Sequence, residues 1–254
     1  MKSSHTASLA LCALLAASGT AQAALIDRGG GLIYDTDLDV TWVQNAGLAI
    51  TQTFGVSGIS GNGWMSWNTA QIWIGAMNAA NYLNYNNWRL PTVKPISGVA
   101  FNYNNSYIGG TDTGVNISEQ GTAYAGSTSS EMAHLFYNSL NNKGACDPAL
   151  STVSSCVAQT GYGLVDKGPF TNFLAWDYLY GMEFAPNSSY VWDFRFTSGT
   201  QSVHSKTDAR FNVLVVRSGD VTTVPAPAAA WLLGSGLLGL MGAARCKTTF
   251  RRSF

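Results

Sequence analysis

The chain has 254 residues, only 11% of them charged, with Lys+Arg and Asp+Glu equal at 14 each. All 14 acidic residues but only nine of the basic ones lie between Ala24 and Thr223, so that body carries a net charge of −5. This excludes a nucleic-acid binder, whose contact face is basic. The wealth of Asn, Gly, Ser, Thr, Trp and Tyr, with little Lys or Glu, points to strands and long polar loops rather than a helical bundle.

In chain order, Lys2 precedes an apolar run from Ala7 to Ala17, and Ala21-Gln22-Ala23 follows with the small-x-small pattern of a signal peptidase site. Residues 1–23 therefore read as a signal peptide cleaved after Ala23, and residues 24–223 as one extracytoplasmic domain with enough chain to bury a core. The body opens with Leu32-Ile33-Tyr34, turn-like Asp35 to Asp39, and Val40 to Val43, a hairpin pattern. Gly55 to Gly63 is a Gly/Ser-rich loop. Ala70, Trp73, Ile74, Met77 and Ala80 recur at helical spacing, which predicts an amphipathic helix from Trp67 to about Leu83 with Ser66 as its cap. Pro91, in Asn87 to Thr92, disfavours helix at Leu90 and marks an extended exit.

A polar stretch, about Tyr103 to Ser127, leads to Thr128-Ser129-Ser130-Glu131, which has the spacing of a capping box. It predicts a second helix with Met132, Leu135, Phe136 and Leu140 on one face, ending near Lys143-Gly144. Cys146 and Cys156 are the body's two cysteines. In an oxidising compartment they are expected to form a disulfide, with a pair of free thiols as the alternative. Alternation from Tyr190 to Phe196 predicts a strand with Tyr190, Trp192, Phe194 and Phe196 on one face, a turn at Ser198-Gly199, and a closing strand from Phe211 to Arg217. Strands arriving as hairpins around two helices make the class α+β with an antiparallel sheet.

Val224 to Ala244 is a run of 21 uncharged residues, which as a helix reaches about 31 Å, roughly one hydrocarbon core. Arg245, Lys247, Arg251 and Arg252 follow it, a cluster that stays on the cytoplasmic side and leaves the body outside. Residues 224–254 therefore read as a sorting tail with a C-terminal transmembrane helix. Val224, Pro225 and Pro227 mark an extended segment before the helix that a processing enzyme can reach.

Several pieces of the body resemble, in order, the Lcl C-terminal domain family of exported bacterial proteins. They are Leu32 to Trp42, the Trp67 helix, Asn87 to Thr92, Glu131 to Asn138, Gly168-Pro169-Phe170 and Val215 to Asp220. The resemblance implies a C-type-lectin-like fold, distantly akin to formylglycine-generating enzymes, in which the first and last strands pair and long loops decorate one side. Tyr178 to Glu183 stands where that family often has Tyr-Trp-Ser-Ser or Tyr-Trp-Ser-Gly. The tail, Val224 to Leu240 with its basic cluster, is similar to the V-P-x-P variant of PEP-CTERM sorting signals, which implies an exosortase-type enzyme as a partner. It is either cut near Val224 or retained to Phe254 as an anchor.

For chemistry, the body has His134 and His204 alone, which is too few for a three-histidine metal site. His134, among core-type neighbours on a helix, reads as structural. No Gly-x-Ser-x-Gly elbow, phosphate-cradling loop or dinucleotide fingerprint occurs. Asp35, Asp37 and Asp39 are the candidate calcium ligands, but the sixth and twelfth positions of an EF-hand register are Val40 and Ala46, and the aspartates read as shaping a hairpin turn. No metal or cofactor is expected. Tyr82, Tyr85, Tyr103, Tyr107, Tyr178, Tyr180 and Tyr190 lie among Asn, Ser and Gly, a mixture that stacks on sugars, with Tyr178, Tyr180 and Tyr190 as the candidate ligand-binding residues. Trp42, Trp73, Trp88 and Trp192 read as core. The expected function is a non-catalytic exported surface or matrix protein, membrane-sorted at the cell envelope, that binds extracellular polysaccharide or an envelope partner. The alternatives are a structural surface protein with no small ligand, and an enzyme on a formylglycine-generating-enzyme-like scaffold.

Overall fold

The computed structural model describes residues 25–221. The expected signal peptide with its Ala23 site, and the expected sorting tail with Val224, Pro225, Pro227 and Arg245, lie outside the described residues. Among those described, no helix is long and apolar enough to cross a membrane.

The architecture is α+β. One sheet holds β1 (Leu25–Gly29), β2 (Leu32–Asp35), β3 (Val40–Val43) and β9 (Val216–Ser218) in the order β1-β2-β3-β9, all antiparallel. The other holds β4 (Asn105–Ser106), β5 (Thr113–Gly114), β6 (Asp177–Glu183), β7 (Tyr190–Arg195) and β8 (Thr200–Ser205) in the order β4-β5-β8-β7-β6, with only β4 and β5 parallel. The expected hairpin is β2 and β3. Its turn is stapled by Asp35, whose Oδ1 accepts from the backbone N–H groups of Asp37 and Leu38 at 3.2 Å, and Asp39 takes a left-handed φ of 49°.

Alternating side chains send β2, β3, β6 and β7 into two apolar clusters. Ile33, Trp42, Tyr178, Tyr180, Trp192 and Phe194 enter one, while Leu32, Val43, Leu179 and Val191 enter the other. A helix packs into each. Trp73, Ile74 and Met77 of α1 (Trp67–Ala79) join the second cluster, and Met132 and Ala133 of α2 (Glu131–His134) join the first. Trp42, Trp73, Trp88 and Trp192 are all buried, as expected.

Ser66 caps α1 by accepting from Thr69 N–H. The helix ends at Ala79 rather than near Leu83, because Asn81, Leu83 and Asn84 turn left-handed at φ 50°, 53° and 67°. The same segment is held by Asn78, whose side chain pairs with both the N–H and the carbonyl of Trp88.

The second helix departs from the capping-box reading. Its cap is Ser130, not Thr128, and Glu131 turns instead to Arg89, which meets it with two nitrogens at 2.7 and 2.8 Å. Glu131 also accepts from Thr92 N–H at 2.7 Å, so an ion pair won the side chain that a capping box needs. After His134 the helix widens into a π-helical turn, Leu135–Ser139, and stops there, short of Lys143.

The strand that follows the Ser198-Gly199 turn is β8, not Phe211 to Arg217. Phe211 and Asn212 make single bridges to Met65 and Tyr178, and β9 crosses to the other sheet and pairs with β3. The last described strand thus lies on the third strand rather than the first, because β1 occupies the opposite edge of the β2–β3 hairpin.

Candidate functional site

The polar faces of β6, β7 and β8 make the site. Register sets Asp177 opposite Arg195 and Asp193 opposite Ser202, with His204 two residues further along β8 on the same face. Trp176, Asp177, Arg195, Thr197, His204, Asp208, Arg210 and Phe211 line an open cleft of about 330 Å³. The loop after β8 closes it, since Trp176 Nε1 donates to the Arg210 carbonyl at 2.8 Å and Asn212 N–H donates to the Asp177 carbonyl at 2.9 Å.

Three acid–base pairs stand here. Arg195 donates through Nε and Nη2 to Asp177 at 2.8 and 3.1 Å, and Arg210 donates through the same two nitrogens to Asp208 at 2.9 and 2.7 Å. The third pair is His204 Nδ1 with Asp193 Oδ1 at 2.7 Å. Asp193 is fully buried, and Ser202 Oγ donates to both of its oxygens. Burial pushes the Asp193 carboxyl up, and the hydrogen bond to Asp193 raises the His204 imidazole above its ordinary value. Arg210 holds the Asp208 carboxyl below its ordinary value.

An aromatic wall adjoins these charges. Trp176 is 39% exposed and stacks on Trp64, with ring centroids 5.2 Å apart and planes 9° from parallel. On the inner side, the His204 and Phe211 rings are 5.4 Å apart. The arrangement can hold a polar, ring-shaped ligand by stacking and by hydrogen bonds from fixed cations.

The structure does not gather the tyrosines expected to bind. Tyr178 and Tyr180 are fully buried, with Tyr178 Oη accepting from Leu174 N–H and Tyr180 Oη donating to Gln201, so neither ring is open to a sugar. Strand alternation aims both into the first cluster. Tyr190 is 40% exposed, and Tyr103 is 38% exposed. The residues the sequence reading missed are Trp64, Trp176, Asp177, Asp193, Arg195, His204 and Arg210. Their one signal was the polar alternation of Asp193 and Arg195 against the aromatic positions of the same strand.

Cys146 and Cys156 are bonded, with an S–S distance of 2.01 Å. The closed loop stabilises the body by about 2 to 4 kcal/mol through loss of unfolded-state freedom. It leaves Leu150 and Val153 exposed at 66% and 53%. The three aspartates of the first hairpin take separate roles. Asp35 is buried and also accepts from Ser139 Oγ at 2.8 Å, Asp37 lies 3.6 Å from His134 Nε2, and Asp39 accepts from Tyr34 Oη at 3.0 Å. Among the described residues no group of three or more His, Cys, Asp or Glu side chains is arranged to hold a metal ion. His134 itself is buried in the first cluster's helix, where Nδ1 meets the Ser127 carbonyl. No family model matches the chain, and neither a curated protein nor a solved structure matches it.

Proposed function

We propose that this chain is an exported surface or matrix protein of a bacterial-type cell envelope whose body binds extracellular polysaccharide in the Trp176 cleft, without turning it over. The observation that carries the reading is the exposed indole of Trp176, braced by Trp64 beside a cleft lined with charged side chains. An indole face takes the C–H face of a sugar ring while neighbouring polar groups bond its hydroxyls. The resemblance to the Lcl C-terminal domain, with the C-type-lectin-like fold it implies, supports the same reading. Its ordered pieces meet in space, since Arg89 of the Asn87 to Thr92 segment grips Glu131, and Val216 to Ser218 lies along the first hairpin. The bond between Cys146 and Cys156 supports binding rather than thiol chemistry.

In this reading signal peptidase cleaves after Ala23, and the tail from Val224 delivers the body to the outer side of the inner membrane. An exosortase-type enzyme acts on the Pro225 to Pro227 segment, or the tail stays as an anchor. A second reading, contact with a neighbouring envelope protein, is favoured by the exposed Leu150 and Val153 on the disulfide-clamped loop. A glycan array probed with the full chain and with Trp176→Ala separates the two. Retained glycans that the variant loses by about tenfold in affinity are expected, the worth of one stacked ring. A correctly folded chain that retains no glycan sinks the polysaccharide reading and leaves a surface protein that contacts an envelope partner or has no small ligand.

A further inference from the structure

We infer that the Trp176 cleft selects a saccharide bearing a ring carboxylate, of the uronate class, and that His204, Arg195 and Arg210 receive that carboxylate. The inference rests on the polysaccharide reading above and adds the chemistry of the ligand.

The exposure of the three pairs is uneven in one direction. The side chains of Arg195 and Asp177 are 41% and 18% exposed, those of Arg210 and Asp208 are 74% and 18%, and those of His204 and Asp193 are 34% and 0%. In every pair the basic side chain stands forward and the carboxylate stands behind it. The aspartates therefore act as braces, fixing the cations in place before a ligand arrives and lowering the ordering cost of binding.

Each cation also keeps a donor in reserve. Both arginines spend Nε and Nη2 on their aspartates, and neither pair uses Nη1. His204 spends Nδ1 on Asp193, which leaves Nε2 for a ligand, and Nε2 donates when the ring is protonated. A carboxylate has two oxygens with about four acceptor sites, enough for these three donors. Because the Arg210 carbonyl accepts from Trp176 Nε1, the guanidinium belongs to a loop pinned to the indole. A sugar ring stacked on Trp176 thus brings an anion at its own edge toward the donors. A uronate carboxylate is bonded directly to its ring and sits at that edge. A sulfate ester hangs from a rotatable oxygen and loses more freedom on reaching the same place.

Bulk charge is not the source of this preference. The body carries a net charge of −5, which opposes a polyanion at long range, so recognition has to be local. His204 also makes the site pH-dependent. The charged groups around it are Asp193 and Arg195 on β7, Asp177 on β6, and Asp208 and Arg210 in the following loop. The pair with Asp193 holds the imidazole protonated to higher pH than usual, so carboxylate binding strengthens as pH falls through that raised value and weakens above it. The ligand stays ionised throughout, its own pKa lying at about 3.5.

The test is calorimetric titration of the full chain with trigalacturonate, its methyl ester, and a sulfated neutral trisaccharide. The acid is expected to bind at least about tenfold more tightly than either comparator, the worth of one charge-assisted hydrogen bond. His204→Gln and Arg210→Gln should each lower acid affinity by about tenfold and ester affinity by less, so the gap between acid and ester narrows. Arg210→Gln is the safeguard against misfolding, since that side chain is 74% exposed. Equal binding of acid and ester overturns the carboxylate assignment and leaves the polysaccharide reading standing. Equal binding of acid and sulfated sugar also overturns it, in favour of unspecific charge. If none of the three binds and the glycan array is also blank, both readings fall together.

Discussion

Glu119 shows what burial does to a single ionisable group. It is 9% exposed, and loss of water pushes its carboxyl up to about 7 despite bonds from Gly144 N–H and Gln159 and the charge of Lys143. A carboxyl raised in the folded state keeps its proton where the unfolded chain has lost it. The contribution to stability is therefore full below the unfolded value near 4.5, declines as pH rises through about 7, and stays lost above that. Glu119→Gln removes this group's share of the slope, so the denaturation midpoint of the native chain should fall relative to the variant between those two pH values. Parallel midpoint curves across that range would show that Glu119 is not desolvated as described. Sequence could not single out this residue, because a Glu in a run of Ser, Gly and Gln has the look of a solvated loop. The same holds for Tyr178 and Tyr180, whose polar-tipped rings suggested a binding surface while their strand aimed them inward.

The start of α1 was legible because a cap is a contact across three residues. Ser66 was readable for that reason, and its bond to Thr69 N–H is confined to the helix it begins. Ser130 does more. Besides accepting from Ala133 N–H at 3.2 Å, it donates to Gln201 at 2.6 Å and touches Tyr180 Oη at 2.6 Å, tying α2 to β6 and β8. Ser66→Ala should cost about 1 kcal/mol, the usual loss of an N-cap. Ser130→Ala should cost about 2 kcal/mol, since it also removes a partner from a buried polar cluster. Urea denaturation of the two variants checks the ranking, and equal losses would mean that the Ser130 cluster adds nothing beyond the cap. The cap shifted from Thr128 to Ser130 because Arg89, distant in sequence, claims Glu131. Likewise, spacing could not foresee that α2 would pass into a π-helical turn.

At the scale of the whole chain, the body between residues 25 and 221 needs no tail contact to close its sheets, since β9 already pairs with β3 before Val221. Deleting residues 224–254 should therefore leave the body folded and shift it from the membrane fraction to the soluble one. Fractionation after high salt and carbonate checks this, and a truncated chain that still pellets would refute the anchoring role of the tail. Mass spectrometry of the mature C-terminus distinguishes a tail cut near Val224 from one retained to Phe254. The sequence by itself determined the α+β class, the first hairpin, the start of α1, which two cysteines could bond and the buried tryptophans. These depend on periodicity, turn chemistry and residue type, which act over a few neighbours. Only the tertiary structure decided that β8 rather than Phe211 to Arg217 pairs with β7, that Tyr178 and Tyr180 are core, and that Trp176, Arg195, His204 and Arg210 share a cleft. Those outcomes depend on strand order and on which face of each strand meets a neighbour far away in the chain, a choice that local spacing leaves open.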